Sequence, residues 1–415
     1  MKYLVLILFI TNLCWSKDYT YSDLEGTALK ANPLIIQKTL ELKELKSQIN
    51  KIQSDYYPEV KVIVGQENRI APDETEIEKN KNVAELRVNY NLYQFGASKK
   101  QLKALEENKK VLIKNIDFTK KQIKRDLKRL FFSTLSLKKE LKLINEEILY
   151  NKTLKKQVSN KKKQGLVGAA DTLEIDMREA TLKNRQIKIT EEYQHGLDLI
   201  RKITLIPHEQ VISLQGDIPH SHFEINLKEL HLAAKSKNIE LAKVNSDINS
   251  LSYQADASFS KRLPSLKLMG RYGNMRIDET YTSQDTQEGL VGLYLEIPLF
   301  DGGRKSSEQA IQESRLERSK QKLRKTKHDI EIDLAHKFEK FQNIHTLLDL
   351  SEKNLENAKR YFKNVLSEYK RGVKNSLDLV SARDRLYQFH IDVIKYKKEY
   401  QLTKLDLERI SGLNL

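Results

Sequence analysis

The chain has 415 residues, a formal net charge of +16, 31% charged residues, and only 15 Gly and 7 Pro. Few breakers among many Lys, Glu, Leu and Ile point to long helices rather than several compact domains. A mean hydropathy of −0.60 excludes a bundle of transmembrane helices. The positive charge is interspersed with Glu along the whole chain, so it reads as solvated helix faces rather than a nucleic-acid patch.

The first element is apolar. Residues 3–13 follow Lys2 and are too few to span a bilayer, which needs about 20 residues. Cys14-Trp15-Ser16 follows with fairly small residues at a cleavage site, so 1–16 reads as a secretory signal peptide. Cys14 is the single cysteine, so its removal leaves no disulfide chemistry. The alternative fate of Cys14, lipid modification, is disfavoured by the bulky Leu13 before it.

The mature chain then states its main piece twice. Pro58 and Pro264 are 206 positions apart, as are Asn32 and Asn238; Phe95 and Phe300 are 205 apart; Gly165/Gly372 and Asp171/Asp378 are 207 apart. Steady spacing of this kind implies a duplicated unit. The first repeat occupies 17–204, a linker 205–225, and the second repeat 226–415. Each repeat reads as a helix (about 22–55 and 226–260), two strands, then two very long helices. The linker, with Pro207, Gly216 and Pro219, is expected to form a small irregular or mixed patch.

Strands are expected at about 58–69, 83–95, 264–277 and 288–300. Val60, Val62 and Val64 alternate with Glu59 and Lys61. Ala84, Leu86, Val88, Tyr90 and Leu92 alternate with Glu85, Arg87, Asn89 and Asn91. Leu266, Leu268 and Tyr272 oppose Ser265, Lys267 and Arg271, and Val291, Leu293, Leu295 and Ile297 alternate with Gly292, Tyr294 and Glu296. Period-two alternation means one apolar and one polar face. Each run has the length of about 9–11 residues that a tilted barrel strand needs to cross a bilayer. Aromatic residues near the ends (Tyr56, Tyr57, Tyr93, Phe95, Phe259, Tyr272, Phe300) suit a membrane-water boundary. Four strands cannot close a barrel, and an open edge in hydrocarbon leaves backbone groups unpaired, so several copies must share one barrel. The polar stretches 70–82 and 277–287 would be its outward loops.

From 97 to 164 no Pro or Gly interrupts the chain, enough for a helix of roughly 100 Å. A heptad series runs Ile123, Leu127, Leu130, Thr134, Leu137, Leu141, Ile144, Ile148, broken only at Thr134. The second copy runs Ile330, Leu334, Lys337, Phe341, Ile344, Leu348, Ser351, Leu355, Ala358, Phe362, Val365, Tyr369. Sustained 3–4 spacing predicts a coiled-coil seam. Gly165 and Gly372 end these helices and new ones begin near Asp171 and Ser376, so each pair folds back as an antiparallel hairpin.

No catalytic pattern emerges. The nine His show no metal-ligand spacing, and neither G-x-S-x-G nor a P-loop is present. Asp301-Gly302-Gly303-Arg304 lacks phosphate-cradle spacing and reads as a strand-to-helix turn.

At this point the residues resemble a known family, the TolC-type outer-membrane efflux proteins, over nearly the whole mature length. The match rests on Ala28-Leu29-Lys30-Ala31-Asn32-Pro33, Leu263-Pro264-Ser265-Leu266, and above all Ile297-Pro298-Leu299-Phe300-Asp301-Gly302-Gly303-Arg304. The first copy carries the weaker Leu92-Tyr93-Gln94-Phe95-Gly96. The resemblance implies a mainly α fold with a transmembrane β-barrel part: a homotrimer sharing one 12-stranded barrel in the outer-membrane lipid of a Gram-negative bacterium, on a long α-helical tunnel through the periplasm. It implies a passive duct, not an enzyme, with no cofactor and no nucleic acid, that docks on a periplasmic adaptor and an inner-membrane transporter for efflux or type I secretion. Two site sets carry over by resemblance. The hairpin tips Gly165-Leu166-Val167 and Gly372-Val373-Lys374 look like adaptor-docking knobs. Asp378 matches the first of two gate aspartates, with Ser381 at the second position, Lys374 where a basic gate residue sits, and Asp171 on the outer hairpin preceded by Ala170 rather than Thr. Asp171 and Asp378 read equally as helix caps. The rival reading is a soluble periplasmic coiled-coil adaptor or scaffold that uses the strands in a soluble domain.

Overall fold

A computed structural model of the chain describes residues 17–68, 80–165, 167–220, 225–273 and 288–415. The expected leader with Cys14, tip residue Leu166, and most of the expected outward loops lie outside the described residues. The elements run β1 (Lys17–Tyr19), α1 (Tyr21–Ala31), α2 (Pro33–Gln53), a 3-10 turn, β2 (Glu59–Asn68), β3 (Asn80–Tyr93), α3 (Ala97–Lys163), α4 (Ala169–Thr204), β4 (Ile212–Leu214), α5 (Leu227–Lys237), α6 (Ile239–Ser260), β5 (Ser265–Gly273), β6 (Glu288–Glu296), α7 (Arg304–Lys370) and α8 (Ser376–Ser411). Helices recur at matched lengths: 11 residues in α1 and α5, 67 in α3 and α7, 36 in α4 and α8.

Where one helix was expected before each strand pair, there are two. The break falls at Asn32 and Asn238, both extended in backbone and both buried. Asn32 Oδ1 accepts from Leu34 N at 3.0 Å and its Nδ2 donates to the Ile203 carbonyl at 3.3 Å. Asn238 Nδ2 donates to the Ile410 carbonyl at 2.9 Å. Each amide thus satisfies a carbonyl near the end of its own copy's last helix, where the helix has no partner of its own to offer. Pro33 enforces the first break, because the residue before proline is pushed out of the α region.

The chain forms two compact units. One comprises the described residues up to Ile36, Asp117–Asn238 and Asp329–Leu415; the other comprises those of Gln37–Ile116 and Ile239–His328.

The first unit is helical around a series of cores. Leu24, Leu127, Phe131, Leu135, Ile200 and Leu214 anchor one of them, which includes the small sheet made by β1 pairing in parallel with β4. The linker was expected to be irregular or mixed; among its described residues it holds one strand, β4, paired with β1. Of the three non-apolar positions in the heptad seams, buried Ser351 donates to the Leu347 carbonyl of its own helix at 2.7 Å, and Thr134 and Lys337 meet partners on neighbouring helices. Thr134 is buried opposite Gly196 of α4, where a Cβ would stand 2.9 Å from Thr134 Cγ2 and closer still to its hydroxyl. Glycine there lets α3 and α4 approach. Lys337 donates to Asp406 Oδ2 of α8 at 2.7 Å, and Arg129 of α3 pairs with the same carboxylate. Burial opposes that charge, but the bonds from Lys337 and Arg129 outweigh it and hold the Asp406 carboxyl below its ordinary value.

The second unit carries the antiparallel sheet β2-β3-β5-β6, flanked by the ends of long helices. Among the described residues β2 and β6 are its edges. Lys100 of α3 donates to Ser260 Oγ of α6 at 3.0 Å, and Ser250 Oγ of α6 donates to the Ala104 carbonyl at 3.1 Å, fixing α6 on α3. Among the described residues, no helix is long and apolar enough to cross a membrane.

Candidate functional site

The register of the sheet sorts its side chains by face. Val60, Val88, Gly270 and Val291 form one cross-strand row; Val62, Leu86 and Tyr272 form the next; Tyr90, Leu268 and Leu293 a third. Because side chains alternate along a strand, these rows share one face. The other face carries Lys61, Arg87 and Arg271 in one row and Glu59, Asn89 and Met269 in another. Burial is inverted relative to a soluble sheet. Val62, Val64, Val291 and Leu293 are between 63% and 79% exposed, whereas Glu85, on the polar face, is 6% exposed and ion-paired with Arg87. A contiguous exposed apolar face of this size marks an interaction surface rather than an ordinary solvent face.

At the end of β6 the chain turns into α7 through Phe300, Asp301, Gly302, Gly303 and Arg304. Leu299 and Phe300 are more than 90% exposed. Asp301 shapes the turn: Oδ1 accepts from Gly303 N and Oδ2 from Lys305 N, each at 3.1 Å, satisfying orphan donors at the helix start. Gly302 and Gly303 both have positive φ. The first copy is instructive. Lys100 N donates to the Gly96 carbonyl as Ser307 N donates to the Gly303 carbonyl, each at 2.9 Å, so the structural offset here is 207. Phe95 therefore stands where the second copy has Gly302, and it adopts φ of 49°. The 205-residue pairing of Phe95 with Phe300 in sequence is replaced by this one. A bulky side chain in that region costs roughly 1–2 kcal/mol, offset in part by the Tyr93 ring 4.9 Å away.

The two helical hairpins turn at Gly165 and Gly372, both at positive φ, which glycine adopts without steric cost. After Gly372, Val373 N donates back to the Glu368 carbonyl at 2.9 Å, closing a Schellman-type stop. Of the apolar tip residues, Val373 is 68% exposed, while Val167 packs half-buried against a core of Leu154, Val158, Ile175, Val365, Tyr369 and Leu379. Both candidate gate aspartates cap helices. Asp378 Oδ2 accepts from Asn375 N at 3.3 Å while Asn375 Oδ1 accepts from Asp378 N at 2.9 Å. Asp171 Oδ2 accepts from Gly168 N at 3.3 Å, and its other oxygen accepts from Ser376 Oγ, joining the starts of α4 and α8. Among the described residues, Asp171 thus pairs with Ser376. Lys374 and Ser381 are exposed.

Beneath the tips lies a charged cluster that sequence reasoning did not single out. Glu147 of α3, 3% exposed, accepts from Arg178 Nη2 of α4 at 2.9 Å and from Arg383 of α8 at 3.0 Å (Nε) and 2.6 Å (Nη2). Arg178 also donates through Nε to Asp384 Oδ1 at 2.8 Å and through Nη1 to the buried Asn151 at 3.4 Å. The Arg383 guanidinium lies 4.6 Å from the Tyr150 ring centroid and 5.2 Å from that of Phe362, so α7 joins α3, α4 and α8 at this point. Each member sits among many exposed Lys and Glu in sequence; only the packing distinguishes it.

Residues 232–413 match the family model described as outer membrane efflux protein. The fold is similar to that of the outer membrane protein VceC from Vibrio cholerae, with a TM-score of 0.81 at 13% identity over 94% of this chain and 96% of that one. It is also similar to the CmeC outer membrane channel of Campylobacter jejuni (TM-score 0.81, 14% identity, 94% and 85% coverage). A third likeness is to the open state of the MtrE outer membrane channel of Neisseria gonorrhoeae (TM-score 0.80, 14% identity, 94% and 88% coverage). At these identities the likeness is one of fold. No curated protein matches the chain by sequence.

Proposed function

We propose that this chain, an outer membrane efflux protein, is the passive, gated exit duct of a tripartite pump or type I secretion system. The observation that carries the reading is the sheet: four antiparallel strands whose apolar face is exposed, whose polar face holds the charges, and whose edges β2 and β6 find no partner among the described residues. In hydrocarbon each unpaired backbone group costs several kcal/mol, so the edges must be paired by sister chains. Three copies of a four-stranded sheet make a closed barrel of 12 strands with its apolar rows toward lipid. The helical hairpins then supply a periplasmic tunnel, in keeping with the fold likeness to outer membrane channels.

In this reading the tips Gly165, Leu166, Val167, Gly372, Val373 and Lys374 meet a periplasmic adaptor that links the duct to an inner-membrane transporter. Asp171, Lys374, Asp378 and Ser381 form the narrow periplasmic mouth, where copies of Asp378 facing one axis repel one another and attract cations. The family's second gate acid is absent at Ser381, so the ring is carried by Asp378.

Two experiments test this. Val62→Asp together with Leu293→Asp, placing charges on the lipid face, should abolish outer-membrane insertion. Lysine-to-alanine changes at Lys61, on the other face, should not. Equal insertion of both variants would refute the face assignment. For the mouth, Asp378→Asn retains a capping oxygen and should raise single-channel conductance in planar bilayers; unchanged conductance would remove Asp378 from the gate.

A further inference from the structure

The nine His show no ligand spacing along the sequence, yet folding gathers three donors. Among the described residues, His220, His345 and Asp349 each offer one ligand atom, all within 4.8 Å of one another. We infer that they form a divalent transition-metal site, of the zinc, nickel or copper(II) class, that fastens the segment between the repeats to α7.

The donor set is two imidazoles and one carboxylate, which suits borderline metals and not calcium or magnesium. His345 and Asp349 lie one turn apart on α7, so a rigid helix presents both on one side. His345 Nδ1 is 3.6 Å from Asp349 Oδ2. Tetrahedral zinc with bonds of about 2.0–2.1 Å sets neighbouring ligands about 3.4 Å apart. That pair is therefore already at nearly the right spacing. The widest remaining separation, at most 4.8 Å, needs to close by about 1.4 Å, within reach of a side-chain rotation.

The residues leading to the third ligand are anchored. Gln401 Nε2 of α8 donates to the Pro219 carbonyl at 2.5 Å, immediately before His220. Asp217 is ion-paired with Lys139 of α3, and Ile218 is buried. Behind the donors the fully buried Tyr400 ring stands 5.0 Å from the His220 ring and 6.1 Å from that of His345, with Phe341 on Tyr400 at 5.0 Å. This wall fixes both imidazoles from one side. All three ligands are half-buried, which leaves the opposite side open for a water as the fourth ligand. The alternative is a bare helix ion pair between protonated His345 and Asp349, which needs neither His220 nor a metal.

The test uses the full chain in detergent, stripped with chelator and titrated calorimetrically with zinc chloride alone. One zinc per chain is expected, at about 1 µM or tighter, together with a rise in melting temperature. Loss of an outer-shell partner of a metal site costs about 10–100-fold in affinity, so loss of a direct ligand should cost at least about 100-fold. His220→Gln, His345→Gln and Asp349→Asn should each do so and abolish the thermal shift, while His336→Gln, an exposed residue elsewhere on α7, should leave both unchanged. If one variant fails to fold, the other two decide. Wild-type protein that takes up less than one zinc per chain, or ligand variants that bind as the wild type does, would overturn the site. The result is independent of whether the chain forms a duct.

Discussion

Replacing Glu147 with Gln removes the single carboxylate to which two buried or nearly buried guanidiniums donate. Arg178 is 6% exposed in its side chain and Arg383 20%; the carboxylate itself is 4% exposed. After the change Arg178 keeps Asp384, but that partner is 53% exposed, and pairs of that kind contribute little. Among the described residues, Arg383 keeps its aromatic neighbours Tyr150 and Phe362 but no carboxylate. Breaking one partner out of a buried ion pair costs about 3–5 kcal/mol, because the remaining charge stays desolvated. The lower end applies here, since Arg383 reaches solvent in part, giving about 3 kcal/mol. At about 1.4 kcal/mol per factor of ten, that is roughly a 100-fold rise in local opening. Amide hydrogen exchange reads it directly: protection should fall about 100-fold in α4 around Arg178 and in α8 around Arg383, and change little in the strands. If exchange in those two segments changes less than threefold, the cluster is not what holds α8 to α3 and α4. In bilayers the same variant should open more readily, because the α8 hairpin is freed from the α3–α4 hairpin.

Three further outcomes follow from particular contacts. Gly196→Ala sets a methyl against Thr134 and should cost about 1–3 kcal/mol, read as a drop of about 2–4 °C in melting temperature per kcal/mol; adding Thr134→Ala should restore most of it, and no rescue would refute the close-approach argument. Val373→Asp should abolish export while leaving outer-membrane level unchanged; normal export would remove the exposed tip valine from docking. Asp406, whose carboxyl is held below its ordinary value of 3.8, contributes stability that is complete above that pH and lost as pH falls below it through the lowered value. Acid melting curves should show Asp406→Asn less stable than wild type at neutral pH and the two converging below about pH 3.8; a constant gap down to the most acid pH would refute the pairing with Lys337 and Arg129.

The mainly helical class with paired strands was legible because two periodicities dominate the chain. Alternation around Val60–Val64 and Leu86–Tyr90 names an apolar face, and the register gathers those residues into common rows. The long hairpins follow from the absence of Gly and Pro between Ala97 and Gly165. What was not legible lacks local pattern. β1 is three residues long and pairs with β4 almost 200 positions away. The helix breaks at Asn32 and Asn238 depend on carbonyls of Ile203 and Ile410. Glu147, Arg178 and Arg383 look like any solvated charge in a Lys- and Glu-rich helix. Lys337 gave a usable signal: a charge in a mostly apolar heptad seam calls for a counter-charge, and the partly buried Asp406 supplies it. His220 with His345 and Asp349 joins a linker to a helix more than 120 positions away, so their approach leaves no spacing signature along the chain.

The most direct test of the central claim is the native mass of the leaderless chain purified in mild detergent. The proposed duct pairs its strand edges between sister chains, so the expected mass is that of three chains, dispersed only while detergent covers the Val62–Val291 face. A single chain that stays dispersed in plain buffer with its strand content intact would contradict it.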